Sequence, residues 1–593
     1  MVMFNILSML RKDSAEPDPL GSLKTIARWI NDLPAGNVFK AHEQVLHKLG
    51  EFNAQNAQYS KERLDVLLLV DEHARPLQAS LSQQYLRNPR MSRVMESRLW
   101  HAVYKFYREV AHAYHGFIMS YVANPADNPL RASMPQITLR TVHNFGNAFK
   151  WHYFRYEKPE HKLWLRLHNL YRVAEFEGFS KTELTLYPQN GRTTRCMDQY
   201  NRALLLGQLD ASTLHPKQIE MADRWLCEWS HLIGHASQFN PDSHTLYVAL
   251  SEGVGARRIR NTEFSASCRF LTTARLHEKI QLTRSALQNG ESPALLGLGE
   301  DCRLPDCLEI LDYAERQWGP LDKREQRKSP RTPAKEIIDV VHGFNEICAL
   351  VKQGGNGADI LHEMDAELKY DEMIDLKLYG FVTESTRARM RSRHATPVPG
   401  EKIPPHERWV MEDISEHGLG ACVPADSNDW VRLGSMAATF GKYPVWSCCD
   451  SNDWVRLGNM VALKVERDAS WKIGVMRRLL HGGDGLLQVG IEVLSHKPQM
   501  LLLRPQSVNA LQGYAVGGVE TTDATPPVPV IFTTLPASGP GELLLEAAQY
   551  ASGRSFQASF GAQKGTIRLR DVIEKGDGWM RVAADVAVAE PGA

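Results

Sequence analysis

The sequence lacks the long apolar segments that cross membranes. A spanning helix needs roughly 20 consecutive apolar residues, and the run Val66–Val70 is typical of the longest in this chain. The first residues, Met1–Arg11, include a short apolar stretch without a small-residue cleavage site behind it, which argues against a signal peptide. We therefore predict a cytoplasmic protein with no membrane insertion.

The sequence also lacks an excess of charge of either sign. Lys plus Arg and Asp plus Glu each total 69 among 593 residues, so no overall field attracts the chain to nucleic acid or to a membrane surface. No nucleic-acid partner is expected, and recognition of a charged ligand has to be local. One hydrophobic core rarely organises more than roughly 250–300 residues, so the length predicts several domains.

Cysteines are few, and several motifs of catalysis are missing. None of the nine cysteines forms Cys-x-x-Cys, and an odd number in a large chain without an export signal predicts reduced thiols. Neither Gly-x-x-x-x-Gly-Lys-[Ser/Thr] nor Gly-x-Ser-x-Gly occurs, which excludes the usual P-loop and nucleophile-elbow enzymes. The sequence also offers no convincing nucleophile–base pair. We therefore predict that the protein is not an enzyme and has neither catalytic residues nor a cofactor.

The first half of the sequence has the periodicity of helices. Apolar and aromatic side chains recur at helical spacing, for example in Ser92–Val122. After a flexible N-terminus (residues 1–19), residues 20–318 are predicted to form a helical module. A basic, Pro-containing linker follows at residues 319–335, and then a helical connector at residues 336–375.

Beyond about residue 376 the periodicity changes to alternation. Short β-branched or apolar runs between Gly, Asp and Asn turns predict an antiparallel β-barrel over residues 376–506. A β-rich extension follows at residues 507–593, either continuing the barrel or forming a separate sheet. The predicted fold class is thus multidomain α + β, with a mostly α-helical N-terminal module before the β-barrel and its β-rich tail.

A short internal duplication interrupts the barrel segment. Residues 426–436 recur almost unchanged at residues 450–460, and only Ser435 and Asn459 differ. Because one strand can use only one copy, the other is expected to form an inserted surface loop. The sequence leaves open which copy forms the strand.

Two motifs stand together at the start of the β region. The first is an arginine cluster with Arg-x-x-x-Arg twice, as Arg387 with Arg391 and as Arg389 with Arg393. The second is Asp-x-Ser-x-x-Gly, formed by Asp413, Ser415 and Gly418. Guanidinium groups bind phosphates bidentately and stack on purines. An aspartate can accept the N1 and N2 hydrogens of guanine, while serine adds an adjustable hydrogen bond and glycine allows close approach. Together they point to an anionic guanine nucleotide.

This pairing resembles the PilZ domain, a bacterial receptor domain for cyclic di-GMP. The family has Arg-x-x-x-Arg before a six-stranded barrel and [Asp/Asn]-x-Ser-x-x-Gly on an early strand. Gly458–Leu463, Trp471–Arg478 and Val489–Val493 are similar to later strands of the family. The resemblance implies that the arginines, with Arg389 and Arg393 preferred, hold phosphates and stack on guanine. It also implies that the Asp-x-Ser-x-x-Gly residues read the guanine edge.

The resemblance predicts a non-catalytic signalling protein that binds cyclic di-GMP. Its helical module would bind a protein partner or self-associate, and the output by analogy would be motility, adhesion or biofilm control; the oligomeric state is left open. An alternative is a scaffold or adaptor whose barrel has lost its ligand. Four prolines favour it, because they interrupt the stretch where the family's first strand is expected. They are Pro397, Pro399, Pro404 and Pro405.

A metal-dependent enzyme is a third hypothesis. Cys227, His231 and His235 are spaced four residues apart, so a helix would place them near one face, where zinc can bind. The glutamate of His-Glu-x-x-His is replaced by Leu232, and the surrounding tryptophans suit a packed core better. The sequence therefore predicts no metal site.

Overall fold

The fold was analysed in a computed structural model of the chain. It describes residues 19–55, 58–89, 91–125, 128–260, 263–320, 329–352, 374, 383, 406–424, 454–465, 468, 470–482, 486–505, 527–534, 536, 538–560 and 563–588. The chain divides into two compact units, Met1–Glu325 and Gln326–Ala593. We call them the helical unit and the barrel unit.

The helical unit confirms the predicted helical N-terminal module. Its helices are α1 (Leu23–Asn31), α2 (Val38–Ala54), α3 (Lys61–Arg87), α4 (Arg93–Ala123), α5 (Met134–Phe154), α6 (His161–Phe176), α7 (Cys196–Gln208), α8 (Pro216–Trp229), α9 (Ala274–Gln288) and α10 (Asp306–Trp318). Short strands form a hairpin, β1 (Glu183–Thr185) with β2 (Thr193–Arg195), and a sheet in the order β3 (Gly234–Ala236), β6 (Cys268–Thr272), β4 (Leu246–Ala249), β5 (Arg257–Arg258). No described helix is long and apolar enough to cross a membrane.

Helix α5 lies at the centre of the helical unit, since 18 of its 21 residues are buried. Two of these, Arg140 and Lys150, are charged, and their burial without partners would be costly. Lys150 on α5 pairs with Asp223 on α8 at 2.9 Å, and Arg202 on α7 binds both carboxylate oxygens of Asp223 at 2.6 Å. Buried, fully paired charges therefore tie α5, α7 and α8 together.

The barrel unit contains two closed six-stranded antiparallel barrels. The first is built from β7 (Thr332–His342), β8 (His406–Ser415), β9 (Gly418–Pro424), β10 (Met460–Val465), β11 (Lys472–His481) and β12 (Leu486–Ser495). The second is built from β13 (Gln499–Pro505), β14 (Val528–Thr534), β15 (Gly539–Glu546), β16 (Ser555–Phe560), β17 (Gln563–Lys575) and β18 (Trp579–Val588). The predicted barrel and β-rich tail are confirmed.

Both barrels have the same connectivity. Around the first barrel the order is β7-β8-β9-β12-β11-β10, and β10 closes on β7. Around the second it is β13-β14-β15-β18-β17-β16, and β16 closes on β13. In each, three strands follow one another and the last three run back in reverse order. The C-terminal region is therefore a second barrel of the same topology, and does not extend the first.

The barrel boundaries differ from those predicted. Strand β7 occupies Thr332–His342, where the end of a linker and a helical connector were expected. Its apolar pairs, Ile337 with Ile338 and Val340 with Val341, fit helical spacing as well as a buried strand, and pairing with β8 and β10 selects the strand. A helix, α11, follows only at Phe344–Lys352. Conversely, Gln499–Pro505 belongs to the second barrel.

The second copy of the duplication leads into β10. Trp454 stacks on His342 with ring centroids 4.0 Å apart, and Val455 and Leu457 are buried. Every residue of β10 is buried. The first copy lies outside the described residues, but its following sequence would put Ala437, Thr439 and Gly441 where β10 has Val461, Leu463 and Val465. The side chains of Val461, Leu463 and Val465 bury more apolar surface than those of Ala437, Thr439 and Gly441 could. This difference explains why the second copy leads into the strand.

A shared core joins the two barrels. Trp579, buried at the start of β18, clusters with residues of β10, β11, β14 and β15, and its Nε1 donates to the Gly458 carbonyl at 2.9 Å. Helix α11 packs into the same cluster through Ile347 and Leu350. Arg477 on β11 pairs with Glu574 on β17. The two barrels therefore pack as one body.

The cysteines correct one prediction. Cys302 and Cys307 are joined by a disulfide, so the prediction of reduced thiols is wrong for this pair. The other described cysteines include Cys196, Cys227, Cys268 and Cys348, which form no disulfide.

Candidate functional site

The Asp-x-Ser-x-x-Gly residues lie together on the β8–β9 hairpin of the first barrel. Asp413 and Ser415 end β8, Gly418 begins β9, and Ser415 pairs with Gly418 across a two-residue turn. The Ser415 hydroxyl donates to the Gly418 carbonyl at 3.0 Å. The motif thus forms the hairpin turn and also leaves a carboxylate beside it.

Two glycines make room for this hairpin. A Cβ on Gly418 would lie 2.6 Å from the Ile491 carbonyl oxygen on β12. A Cβ on Gly420 would lie 2.7 Å from Asp413 Oδ1. Gly420 is a site residue that the sequence analysis missed, although Gly-x-Gly at residues 418–420 was a signal for close backbone approach.

The Asp413 carboxylate is paired with an arginine at the start of the barrel. Arg331 Nη1 donates to Asp413 Oδ1 at 2.6 Å, and the side chains are 35% and 34% exposed. The register of β8 shifts beside Asp413, and that of β7 shifts after Pro333, which lies opposite Asp413. Such bulges re-aim side chains and are common beside functional sites.

The predicted arginine cluster has a different place in the chain. Arg387, Arg389, Arg391 and Arg393 lie outside the described residues, and they follow β7 in sequence instead of preceding the barrel. The PilZ resemblance requires Arg-x-x-x-Arg before the first strand. Because that strand is β7, the sequence that meets this condition is Arg327-Lys328-Ser329-Pro330-Arg331. Arg327 lies outside the described residues, whereas Arg331 is the partner of Asp413.

The new barrel boundary also removes an objection to ligand binding. The Pro-rich stretch 397–405 was expected to carry the first strand, which prolines would disrupt. That strand is β7, and residues 397–405 lie between β7 and β8 in sequence and outside the described residues.

The hairpin turn is anchored to the segment that joins the barrels. His496, in its Nε2–H tautomer, donates to the Glu416 carbonyl at 3.0 Å, and the Val493 amide donates to the His417 carbonyl at 3.0 Å. One residue before His496, the Ser495 hydroxyl donates to the Thr533 carbonyl on β14 at 2.6 Å. The joint between the barrels therefore holds the turn that carries the motif.

The second barrel does not repeat the charged motif. Its strand β14, which corresponds to β8 in order, is Val528–Thr534 and has no carboxylate. The segment before β13, Ser495-His496-Lys497-Pro498, has no arginine. The combination of arginine, aspartate, serine and glycine occurs at these positions in the first barrel alone.

The metal hypothesis is not supported by the geometry of its residues. Helix α8 ends at Trp229, so Cys227, His231 and His235 do not share one helix. His231 bonds to the Glu228 carbonyl, while His235 lies on β3 and stacks on Tyr171 at 4.9 Å. Within the described ranges, no group of three or more His, Cys, Asp or Glu could hold a metal ion.

Comparison with known proteins concerns the helical unit. Residues 24–236 match the family model of the N-terminal domain of the cyclic-di-GMP receptor FimW, and this match runs from α1 to β3. The chain matches none of the curated proteins with which it was compared. The family model covers less than half of the chain and does not extend to the barrels. It indicates a relationship to a cyclic di-GMP receptor family through a region separate from the motif on the first barrel.

Proposed function

We propose that this protein is a non-catalytic cyclic di-GMP receptor whose first barrel binds the ligand. The observation that carries the proposal is the 2.6 Å contact between Arg331 and Asp413 at the start of a closed six-stranded barrel. The family match of residues 24–236 supports it independently, because that region shares no residue with the barrel motif.

The proposed roles follow from the chemistry of each group. Arg331, with Arg327 four residues earlier, supplies guanidinium groups for the ligand phosphates. Asp413 accepts the guanine N1 and N2 hydrogens. The Ser415 hydroxyl donates to Gly418, so its oxygen keeps lone pairs that can accept a ligand hydrogen. Arg331 and Asp413 are about one-third exposed, and Ser415 lies at the turn, as binding requires.

Calorimetric titration of the full chain with cyclic di-GMP tests the proposal. Charge-assisted hydrogen bonds contribute about 1.5–3 kcal/mol, so Arg331→Ala and Asp413→Ala should each weaken binding by about 10- to 100-fold. The matched control is the double variant Arg389→Ala/Arg393→Ala, which removes the other Arg-x-x-x-Arg and is expected to bind as the wild type does. Cyclic di-AMP, which lacks the guanine donor pair, should bind weakly to all of them.

The outcomes separate the hypotheses. If only the Arg389/Arg393 variant loses affinity, the arginine cluster holds the ligand and the assignment to Arg331 is wrong. If the folded wild-type chain gives no heat of binding, the receptor proposal fails. The barrel would then be a scaffold, which is the alternative that the sequence raised.

We further propose that the helical unit passes the signal to a protein partner in the cytoplasm. The unit exposes large apolar side chains, foremost Phe176 at the end of α6, which is 90% exposed, and exposed aromatics are enriched at interaction sites. Affinity purification with wild-type and Phe176→Ser chains tests this. A specific partner whose recovery depends on cyclic di-GMP would support it, and recovery of the same proteins regardless of ligand would contradict it.

A further inference from the structure

We infer that the Arg331–Asp413 ion pair is a clasp, which holds the first residues of β7 in the free protein. The ligand opens this clasp by binding both Arg331 and Asp413. The inference deepens the proposed function and rests on it. It concerns the state before binding, in which the two groups proposed to contact the ligand contact each other.

The first residues of β7 have few buried contacts beyond their pairing with β8. Arg331, Thr332 and Pro333 are exposed, and the first fully buried residue of the strand is Ile338. The strand register is irregular between Pro333 and Glu336. Two prolines flank this segment and offer no amide hydrogen for the ladder. Segments with few buried contacts open most readily, so a side-chain contact here has a large share in holding the segment.

The clasp and the ligand compete for the same Asp413 oxygen. Arg331 Nη1 bonds to Asp413 Oδ1, and a carboxylate needs both oxygens to accept two adjacent guanine hydrogens. A Cβ on Gly420 would lie 2.7 Å from this oxygen and 3.3 Å from Arg331 Nη1, so the hairpin is shaped around the pair. When the ligand binds, Asp413 accepts from guanine and Arg331 donates to phosphate. Neither charge is left unpaired in either state.

The strength of the pair suits such an exchange. Both side chains are about one-third exposed, and pairs of this kind contribute little to stability. A phosphate that accepts two parallel hydrogen bonds from Arg331 is a stronger partner than the single carboxylate oxygen. Ligand binding is therefore expected to replace the weak Arg331–Asp413 contact with a stronger Arg331–phosphate contact, so that the start of β7 is more stable in the complex. In chain order this segment follows directly on the division between the two units.

Hydrogen exchange of the full chain without ligand tests the clasp itself. Asp413→Asn and Arg331→Gln should each speed exchange of the Thr332, Ala334 and Lys335 amides by up to about fivefold. The double variant should add nothing further, because either change alone breaks the pair. Glu416→Gln is the matched control, since Glu416 lies on the same hairpin, its side chain is exposed, and its carboxylate lies 3.9 Å from His417 Nε2. Equal exchange in Asp413→Asn and Glu416→Gln would overturn the clasp.

Addition of saturating cyclic di-GMP tests the exchange of partners. In the wild type, the same three amides should exchange several times more slowly, and this slowing should be lost in Arg331→Gln. If the ligand slowed hydrogen exchange at residues 413–420 but not at residues 332–335, it would bind without changing the partners of Arg331 and Asp413, and the inference would be wrong. Absence of binding by calorimetry would refute the proposed function and the exchange together. The ligand-free comparison would still decide whether the ion pair holds the strand.

Discussion

The helical unit and the barrel unit each contain an arginine–aspartate pair, and the two pairs differ in burial. Arg202 binds Asp223 through two hydrogen bonds, and the side chains are 4% and 2% exposed. Arg331 binds Asp413 through one contact between side chains that are about one-third exposed. The same two groups thus stabilise structure when buried and remain open to a ligand when they lie at a hairpin turn.

A comparison of the two barrels, which have the same fold, also shows that the position of an arginine–carboxylate pair matters. They share strand order and closure, and each has an arginine–carboxylate pair between neighbouring strands, since Arg581 on β18 pairs with Glu542 on β15. Only the pair in the first barrel lies beside an Asp-x-Ser-x-x-Gly turn and at the start of the first strand. The proposed site therefore depends on a few residues at one end of the first barrel and not on the topology that the two barrels share.

The largest expected effect comes from breaking the buried pair. Asp223→Asn would leave the buried Arg202 without its counter-charge and Lys150 with Glu220 as its remaining partner, which costs about 3–5 kcal/mol. Denaturant unfolding followed by far-UV circular dichroism should show this loss in the transition of the helical unit. Asp301→Asn is the control, because it breaks the exposed Arg224–Asp301 pair and should cost at most about 1 kcal/mol. Similar losses in the two variants would contradict the comparison.

The buried pair also predicts a pH dependence. Burial alone would raise the pKa of Asp223, but Arg202 and Lys150 outweigh it and hold the pKa below the ordinary value. A carboxylate with a depressed folded-state pKa stabilises the fold above its unfolded pKa and loses that contribution as pH falls. The helical unit should therefore lose stability as pH drops below about 4. Asp223→Asn should flatten this part of the profile; an unchanged slope would show that Asp223 does not contribute to it.

At the exposed pair, affinity should change far more than stability. Asp413→Asn is expected to weaken cyclic di-GMP binding by about 10- to 100-fold, while the free energy of unfolding changes by at most about 1 kcal/mol. Calorimetry and denaturant unfolding measure the two. Glu542→Gln breaks the corresponding type of pair in the second barrel and should leave affinity unchanged. If Glu542→Gln also reduced affinity, the ligand site would not be confined to the first barrel.

A smaller loss of affinity is expected when Asp413 is displaced and not removed. The added methyl of Gly420→Ala would crowd Asp413 Oδ1 at 2.7 Å, so binding should weaken by about tenfold. Gly541→Ala is a matched control, because its methyl would meet Pro536 at a similar 2.9 Å in the second barrel. Equal affinities of the two variants, measured by calorimetry, would show that Gly420 does not position Asp413.

Local patterns in the sequence predicted much of this architecture and the hairpin of the candidate site. Alternating apolar residues indicated the first barrel and a β-rich tail, and Asp413, Ser415 and Gly418 lie within six consecutive residues, so their hairpin could be recognised. Strand β7 could not, because its partner β8 begins more than 60 residues later and its apolar pairs also fit a helix. The arginine cluster at Arg387–Arg393 therefore stays a prediction. Arg331 was not singled out, because its Arg-x-x-x-Arg motif is recognised only once the strand that follows it is known.

Other features depend on contacts that have no local pattern. Asp223 and Arg202 lie on different helices, and neither position has a signal of burial in its own neighbourhood. Closure of the second barrel requires Arg504 on β13 to pair with Gln557 on β16, and no turn or spacing in the sequence specifies that pairing. Long-range contacts of this kind decide which charges become buried and which strands close a barrel.

The smallest expected effect concerns the duplication, where a deletion should increase the free energy of unfolding instead of lowering it. Deleting residues 426–449 removes the first copy and shortens the β9–β10 connection, residues 425–459, about threefold. Loop-closure entropy then predicts that the barrel unit becomes more stable by about 1 kcal/mol, which thermal and denaturant unfolding can measure. Trp454→Ala and Trp430→Ala are matched controls in identical local sequence. The first should destabilise the barrel, because Trp454 stacks on His342 and Trp409 and donates to Glu407. The second should stay within about 0.5 kcal/mol of the wild type; a reversed result would mean that the first copy leads into the strand.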